Sequence, residues 1–405
     1  MKFNFFFKTF TLRDLTTVLC LFMTLIASPT WAGYITTMDN GPSYNRINAV
    51  FLGDGYTAGE SAKYLSDTNT MLDYLFNFGQ DPFPRYKSYF NAHVVDLVSN
   101  QSGADDPTNG IYVDTALDAS YAFNGGPDRL LYINESKADA AVSAGLGGAF
   151  NADMQLVTVN TTKYGGGGGN YAVWAGGNEY ANELALHELG HSFGGLADEY
   201  GGGGTNPNSE PTDVNITNDP TGAKWNQWLG FDQPGIGVIG AYEGGGYYDE
   251  GIYRPSDSSK MRVLGNPFDV VSREELILDM YRLIDPLDGW LANIDKLFNP
   301  GNLWVDAIDS TIIDTHWYVD GLAVSNASGE QFNPLNFGYG PGTYDISARS
   351  FDNTDWVRRD LDLLRQDINW TVTLFDVPEP SSIVLLVFGL IGLSIHKKLH
   401  RPIII

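Results

Sequence analysis

The chain has 405 residues, 43% apolar and 13% aromatic, a formal charge of −25 and one cysteine. This composition excludes a disordered chain and a disulfide-stapled miniprotein, and the acidic balance excludes nucleic acid as a partner, because a phosphate backbone would be repelled. The length suits two or three domains with a sizeable core.

Lys2, Lys8 and Arg13 precede the apolar run "LTTVLCLFMTLIAS", and small residues follow around Ala32-Gly33. This is the three-part layout of a secretory signal, so residues 1–32 are set apart from the fold, with a retained anchor as the alternative. The one cysteine, Cys20, lies inside the signal, so the exported protein carries neither thiol nor disulfide. The signal and residues 377–405 each contribute +2, which leaves −29 between them. Such a surface favours solubility, repels anionic lipid and attracts divalent cations.

"INAVFLGDGYTAGESAKYLSDTNTMLDYLFNF" predicts a buried strand, a glycine turn and a helix. The "GDG" turn lacks the third glycine and the lysine of nucleotide-binding loops, and it is taken as a plain strand-to-helix turn. Further strands are expected at "AHVVDLVS", "RLLYIN" and "MQLVTVN", giving a mixed sheet packed by helices. After the glycine tract of "TKYGGGGGN", taken as flexible, "YAVWAG" predicts a short strand. As a sheet edge it would offer backbone groups to an extended peptide, and a plain edge strand is the alternative.

"HELGHSFGGLADEY", residues 187–200, then places His187 and His191 four apart, so a helix projects both imidazoles from one face. There they can share one Zn²⁺, and Glu188 can take a proton from the water that the metal activates. Gly194 and Gly195 end the helix and permit the turn back toward the metal. A catalytic zinc needs a third protein ligand. The metzincin pattern H-E-x-x-H-x-x-G-x-x-H would place it at Ala197, which cannot coordinate. Asp198 is the preferred ligand and Glu199 the second choice; a solvated loop or a calcium contact is the alternative for this acidic pair. His93 and His316 are taken as ordinary histidines. Tyr248 and Tyr253 are candidates to stabilise an oxyanion, with aromatic packing as the competing role.

Beyond "LFNPGNL" the segments "WYVDGLAV", "GTYDISARSFD" and "INWTVTLF" alternate apolar with polar residues and break at Gly, Asn and Pro, as in a small β-sandwich. The expected division is a signal at 1–32, a metallopeptidase domain at 33–297, a β-sandwich at 298–376 and a tail at 377–405. In that tail "VPEPSS" leads into "IVLLVFGLIGLSI" and then "HKKLHR". Thirteen apolar residues cover about 20 Å, short of the roughly 30 Å hydrocarbon core, but the basic end suits the cytoplasmic side. The segment resembles the PEP-CTERM sorting tail of Gram-negative bacteria. That resemblance implies processing by an exosortase-like membrane enzyme, a cell-surface or extracellular-matrix location, and membrane contact only through this transmembrane-like segment. A simple C-terminal anchor is the alternative.

"HELGHSFGGLADEY", with "FLGDGYTAGE", "GGGYYDEGIYRP" and "KMRVLGNPFDVVSREEL", resembles the immunoglobulin A peptidase family of metzincin-like zinc metallopeptidases over roughly residues 46–290. The resemblance implies an α/β zincin-like catalytic domain with a mixed sheet and active-site helix. It also implies zinc on His187 and His191, Glu188 as general base, an acidic third ligand at Asp198, and Met261 in a turn beneath the metal. The chain departs from the family at Ser259, Asp269 and Ser272, where family members often carry cysteines. The expected function is an exported zinc endopeptidase that hydrolyses peptide bonds in proteins of unspecified identity. The alternative is a non-catalytic surface or matrix adhesion protein, against which the intact Glu188 argues.

Overall fold

Two kinds of apolar pattern divide the chain: unbroken runs in the first part and strict alternation in the last. The computed structural model describes residues 33–78, 81–205 and 207–376. Residues 1–32, expected to be a signal, and the tail at 377–405 lie outside the described residues. Among the described residues no helix is long and apolar enough to cross a membrane.

The first strand, β1 (Tyr34–Met38), is mostly exposed, whereas every residue of β2 (Ile47–Asp54) is buried. Helix α1 (Ser61–Asn77) buries Tyr64, Thr68, Met71 and Leu75, one stripe of a 3.6-residue repeat. After β3 (Phe90–Val95) and the short pair β4 (Ser120–Tyr121) and β5 (Leu131–Tyr132) comes α2 (Glu135–Leu146). The Asn134 side chain caps the N-terminus of α2, and Gly147 stops it at φ +57°. Then follow β6 (Met154–Val159), β7 (Gly166–Gly167), β8 (Ala172–Ala175) and helix α3 (Ala181–Ser192).

The sheet order is β1-β3-β2-β6-β8-β7; the four central strands are parallel and both outer ones antiparallel. Parallel strands are covered on both faces, which explains their runs without polar alternation. One face carries Val50, Leu52, Val95, Val157 and Val173, packed with Ala138 and Ala141 of α2. The other face meets α1 and α3. A β-carbon on Gly53 would lie 2.8 Å from the Tyr64 ring, so glycine there lets α1 approach.

The "GDG" turn is structural. Buried Asp54 accepts hydrogen bonds from Thr115 Oγ1 at 2.8 Å, Leu117 N at 2.8 Å and Ala119 N at 2.9 Å, which ties down the long loop after β3. Two expectations change. "YAVWAG" lies inside the sheet between β6 and β7, because the glycine tract before it folds back as the true edge. "RLLYIN" forms only the two-residue β5, which pairs with β4, and reaches the large sheet through a single parallel bridge from Leu130 to Gly166.

Beyond α3, β9 (Gly201–Gly204) runs parallel to β13 (Tyr247–Arg254), which pairs antiparallel with β12 (Tyr242–Gly245). Between them the hairpin β10 (Asp232–Gln233) and β11 (Gly237–Val238) adjoins a small core of Trp225, Trp228, Ile239 and Val270. Helix α4 runs over Val270–Leu283, and the chain divides into two compact units after Met280.

The second unit holds β14 (Leu287–Trp290), β15 (Leu297–Phe298), β16 (Leu303–Ala307), β17 (Ile313–Val319), β18 (Leu322–Ser328), β19 (Gln331–Phe332), β20 (Gly342–Asp352) and β21 (Arg365–Leu374). They form two sheets, β14-β16-β19 and β15-β21-β20-β17-β18. The alternation of β17 buries Ile313, Thr315, Trp317 and Val319. The Trp317 ring stacks on Phe332 at 5.2 Å and on Trp370 at 5.7 Å, so the two sheets share one aromatic core. Because β14 pairs with β16, residues 287–290 belong to this unit, which begins earlier than the sequence punctuation at 297–303 indicates.

Candidate metal centre

Helix α3, "ANELALHELGHS", buries every residue from Leu184 to Gly190. It can do so because it lies between β8 and a turn formed by residues 258–263, in which Arg262 N and Val263 N both donate to Ser259 O. Gly190 has no side chain for a reason: a β-carbon there would lie 2.5 Å from Met261 Sδ. Met261, fully buried, thus packs against the helix between the two histidines. Glu183, one turn before His187, grips the same turn. Its carboxylate pairs with the buried Lys260 ammonium, accepts from Gly265 N at 2.7 Å and bonds Tyr74 of α1.

The chain then reverses. Gly195 takes φ +54°, and a β-carbon on Gly194 would lie 2.8 Å from Leu276. Leu196 N reaches back to Gly190 O at 3.0 Å, and the Asn215 side chain clamps Ala197 through both its N–H and its C=O. This return brings Asp198 to the two histidines. His187 Nε2 lies 3.0 Å from Asp198 Oδ1, His191 Nε2 lies 3.2 Å from that oxygen, and the two nitrogens are 3.2 Å apart.

Both imidazoles are fixed by backbone carbonyls. His187 Nδ1 donates to Lys260 O at 3.1 Å, and His191 Nδ1 donates to Leu196 O at 2.6 Å. A carbonyl only accepts, so in the neutral rings Nδ1 carries the hydrogen and each Nε2 presents a lone pair. Two such lone pairs and a carboxylate oxygen converging at 3.0–3.2 Å repel one another unless a cation lies between them. Ligands about 2.0–2.1 Å from one tetrahedral ion are about 3.3 Å apart, so the donor set and its spacing fit zinc. Burial lowers the pKa of His191, but the bond to Asp198 outweighs it and lifts the ring to about 9.

Glu188 is buried beside this triangle, and the ligand atoms of His187, Glu188 and His191 lie within 4.8 Å of one another. Desolvation raises its pKa above the ordinary glutamate value, against the pull of the two histidines. The glycine tract packs directly on these side chains. A β-carbon on Gly166 would lie 2.5 Å from Glu188 Oε1, and one on Gly168 would lie 2.4 Å from His191 Cβ. The tract is therefore a close-packed wall rather than a flexible linker. Its outer side is already engaged: Gly166 N donates to Arg129 O at 3.2 Å, and Tyr132 Oη donates to Gly168 O at 2.7 Å. An extended peptide cannot take these two groups.

The cleft in front of the triangle has a volume of about 330 Å³. Tyr132, Tyr164, Tyr200 and Tyr247 line it, with Arg129 and Arg262 as its cations. Sequence reasoning missed Tyr247, whose hydroxyl donates to Asp198 Oδ2 at 2.5 Å, and Tyr200 behind it at 3.3 Å. Tyr248 and Tyr253, singled out from the same strand, do not line the cleft. Glu199 turns away into the core, where Ser259 Oγ donates to it at 2.6 Å and Asn215 Nδ2 at 3.0 Å. Burial, with Asp269 nearby, pushes its pKa well above the carboxylate range. Ser259 therefore ties the turn to Glu199, while Asp269 accepts from Ser256 Oγ at 3.1 Å and Ser272 N at 2.9 Å. His93 lies buried in β3, where its ring nitrogens meet Thr36 and Asn48, and His316 is exposed in β17.

The family profile described as IgA Peptidase M64 matches residues 35–237, and that of the PEP-CTERM protein-sorting motif matches residues 376–398. No curated protein matches. Among solved structures, the Bacteroides ovatus mixed-linkage glucan utilization locus SGBP-B in complex with mixed-linkage heptasaccharide aligns at 16% identity and a TM-score of 0.15. The alignment covers 24% of this chain and 23% of that one, too little to bear on fold or ligand.

Proposed function

Because the chain belongs to the IgA peptidase M64 family, a family of metallopeptidases, we propose that it is an exported zinc-dependent endopeptidase with a zincin-like catalytic unit ending at Met280. His187 Nε2, His191 Nε2 and Asp198 Oδ1 would hold the metal. The observation that carries this reading is their convergence with both imidazole tautomers fixed by backbone carbonyls. Zinc held there supplies Lewis-acid polarisation of the scissile carbonyl and brings the pKa of water to about 7.

The remaining work falls to the chain. Glu188, buried and unable to leave because Gly166 backs it, takes the proton of the attacking water and returns it to the leaving amine. Its raised pKa suits both halves of that transfer. The tyrosine-lined walls keep bulk water from the carboxylate and orient the peptide. With the groups of Gly166 and Gly168 engaged, the substrate is gripped by side chains of the cleft rather than as an added strand.

The PEP-CTERM motif indicates export and cell-surface sorting in a Gram-negative bacterium. We assign cutting of the tail to an exosortase-like enzyme, and membrane contact to residues 377–405 alone. The substrate is a protein, and nothing beyond the family's descriptive name points to immunoglobulin.

The test is hydrolysis of casein and peptide mixtures by the purified protein, with and without chelator, beside Glu188→Ala. Hydrolysis that is lost in both the chelated protein and the variant, while the variant keeps its zinc, supports the reading. If zinc copurifies yet the wild type cuts nothing that Glu188→Ala leaves intact, the chain is a binding scaffold instead.

A further inference from the structure

Three donors in series end on the outer oxygen of Asp198. Arg129 Nη2 donates to Tyr200 Oη at 3.0 Å, the Tyr200 and Tyr247 hydroxyls are 3.3 Å apart, and Tyr247 Oη donates to Asp198 Oδ2 at 2.5 Å. Tyr247 spends its hydrogen on Asp198, so it accepts that of Tyr200, and Tyr200 in turn accepts from the guanidinium. The chain of donation therefore runs one way, from a permanent cation to the carboxylate. The three residues come from three separate segments. Parallel pairing of β9 with β13 sets the rings together, with Tyr247 N bonded to Tyr200 O at 3.1 Å and the rings edge-to-face at 5.3 Å. The Arg129 guanidinium lies over the Tyr200 ring at 5.7 Å.

Tyr247 also sits at φ +66°, a left-handed conformation that is costly for a bulky residue and persists only where its surroundings impose it. Here the neighbouring Gly246 N donates to Asp198 O at 2.8 Å, so the same turn that strains Tyr247 is bound to the residue its hydroxyl reaches.

We propose that Tyr247 is a positioning residue for the metal, which by occupying Asp198 Oδ2 leaves this carboxylate only Oδ1 to offer, with Tyr200 and Arg129 holding its hydroxyl in place. The inference rests on Asp198 being the third ligand. A carboxylate free to swing would take the ion through both oxygens and fill the position that the reaction needs open.

The experiment measures zinc affinity by chelator competition for the wild type and for Tyr247→Phe and Tyr200→Phe, together with the visible spectrum of each Co²⁺-loaded protein. Tyr247→Phe is expected to weaken zinc binding about 10- to 100-fold. Its Co²⁺ spectrum should move from the intense bands of four-coordination to the weaker ones of five. Tyr200→Phe should show the same change to a lesser degree, because its hydroxyl stands behind that of Tyr247. Melting of the metal-free proteins checks folding, and if Tyr247→Phe does not fold, Tyr200→Phe alone decides. An unchanged spectrum and affinity in the variants overturns the inference while the proposed function stands. A wild type that binds no zinc overturns the proposed function itself.

Discussion

Glu183→Gln tests the attachment of the active-site helix to the turn beneath it without reference to metal or substrate. The Lys260 side chain is 0% exposed and Glu183 is 16% exposed, so the glutamine variant leaves an ammonium buried beside a neutral partner. Breaking one side of a buried pair costs about 3–5 kcal/mol. Glutamine can turn its one carbonyl to Gly265 N and its amide N–H to the Tyr74 hydroxyl, which then accepts, and this places the expected loss at the lower end, about 3 kcal/mol. For a unit of this size that is a fall in Tm of roughly 6–12 °C. Urea unfolding of the metal-free protein measures it. Glu183→Leu combined with Lys260→Met removes both charges and should recover most of the loss. The Lys260 carbonyl is also the acceptor for His187 Nδ1, so Glu183→Gln should weaken zinc binding up to about tenfold. A loss below about 1 kcal/mol, or a double variant as unstable as the single one, would refute the account of this clamp.

Asp198→Ala should lose zinc affinity by more than about 100-fold, whereas Glu199→Ala should bind zinc normally but melt earlier, because Ser259 and Asn215 lose a buried acceptor. Equal retention of metal by both removes Asp198 from the site. Gly166→Ala puts a methyl 2.5 Å from Glu188 Oε1, and a displacement near 1 Å is worth about 100-fold in kcat, with zinc content unchanged. Gly169→Ala, whose nearest neighbour would be 3.7 Å away, is the control, and equal activity of the two variants contradicts the packing argument. Burial lowers the His93 pKa to about 4, so the unfolded chain takes up its proton first on acidification. The stability this side chain gives is complete above about pH 6.5 and is lost as pH falls toward 4, by at most about 3 kcal/mol. His93→Gln should flatten that dependence in urea midpoints taken at about pH 7 and pH 4.5, and parallel curves for the two proteins contradict it.

The part of the site that lies within one helix and its return was legible in the sequence, because helical spacing and two glycines fix His187, Glu188, His191 and Asp198 relative to one another. What surrounds it was not. Tyr247 and Tyr248 are neighbours in a strand, where successive side chains point to opposite faces, and only the pairing of β9 with β13 decides which one meets Asp198. Lys260 and Asn215 carry no local pattern at all; each matters through contacts with residues 77 and 18 positions away. The glycine tract misled for a related reason, since glycine marks flexibility and close approach alike, and only the partners on either side distinguish them. In the second unit the alternation of β17, β20 and β21 gave strands directly, while the pairing of β14 moved its start ahead of the punctuation at residues 297–303.

The two ends of the large sheet bear on how the protein survives where it is sent. One end strand, β1, changes register between Thr36 and Met38; at the other, Gly166 of β7 and Gly168 just beyond it are bonded to residues 129 and 132. Neither end offers a long, flat row of free amides and carbonyls of the kind that nucleates strand-to-strand fusion between molecules. For a protein sorted to the cell surface, that arrangement works against neighbouring copies joining through the sheet that supports the candidate site.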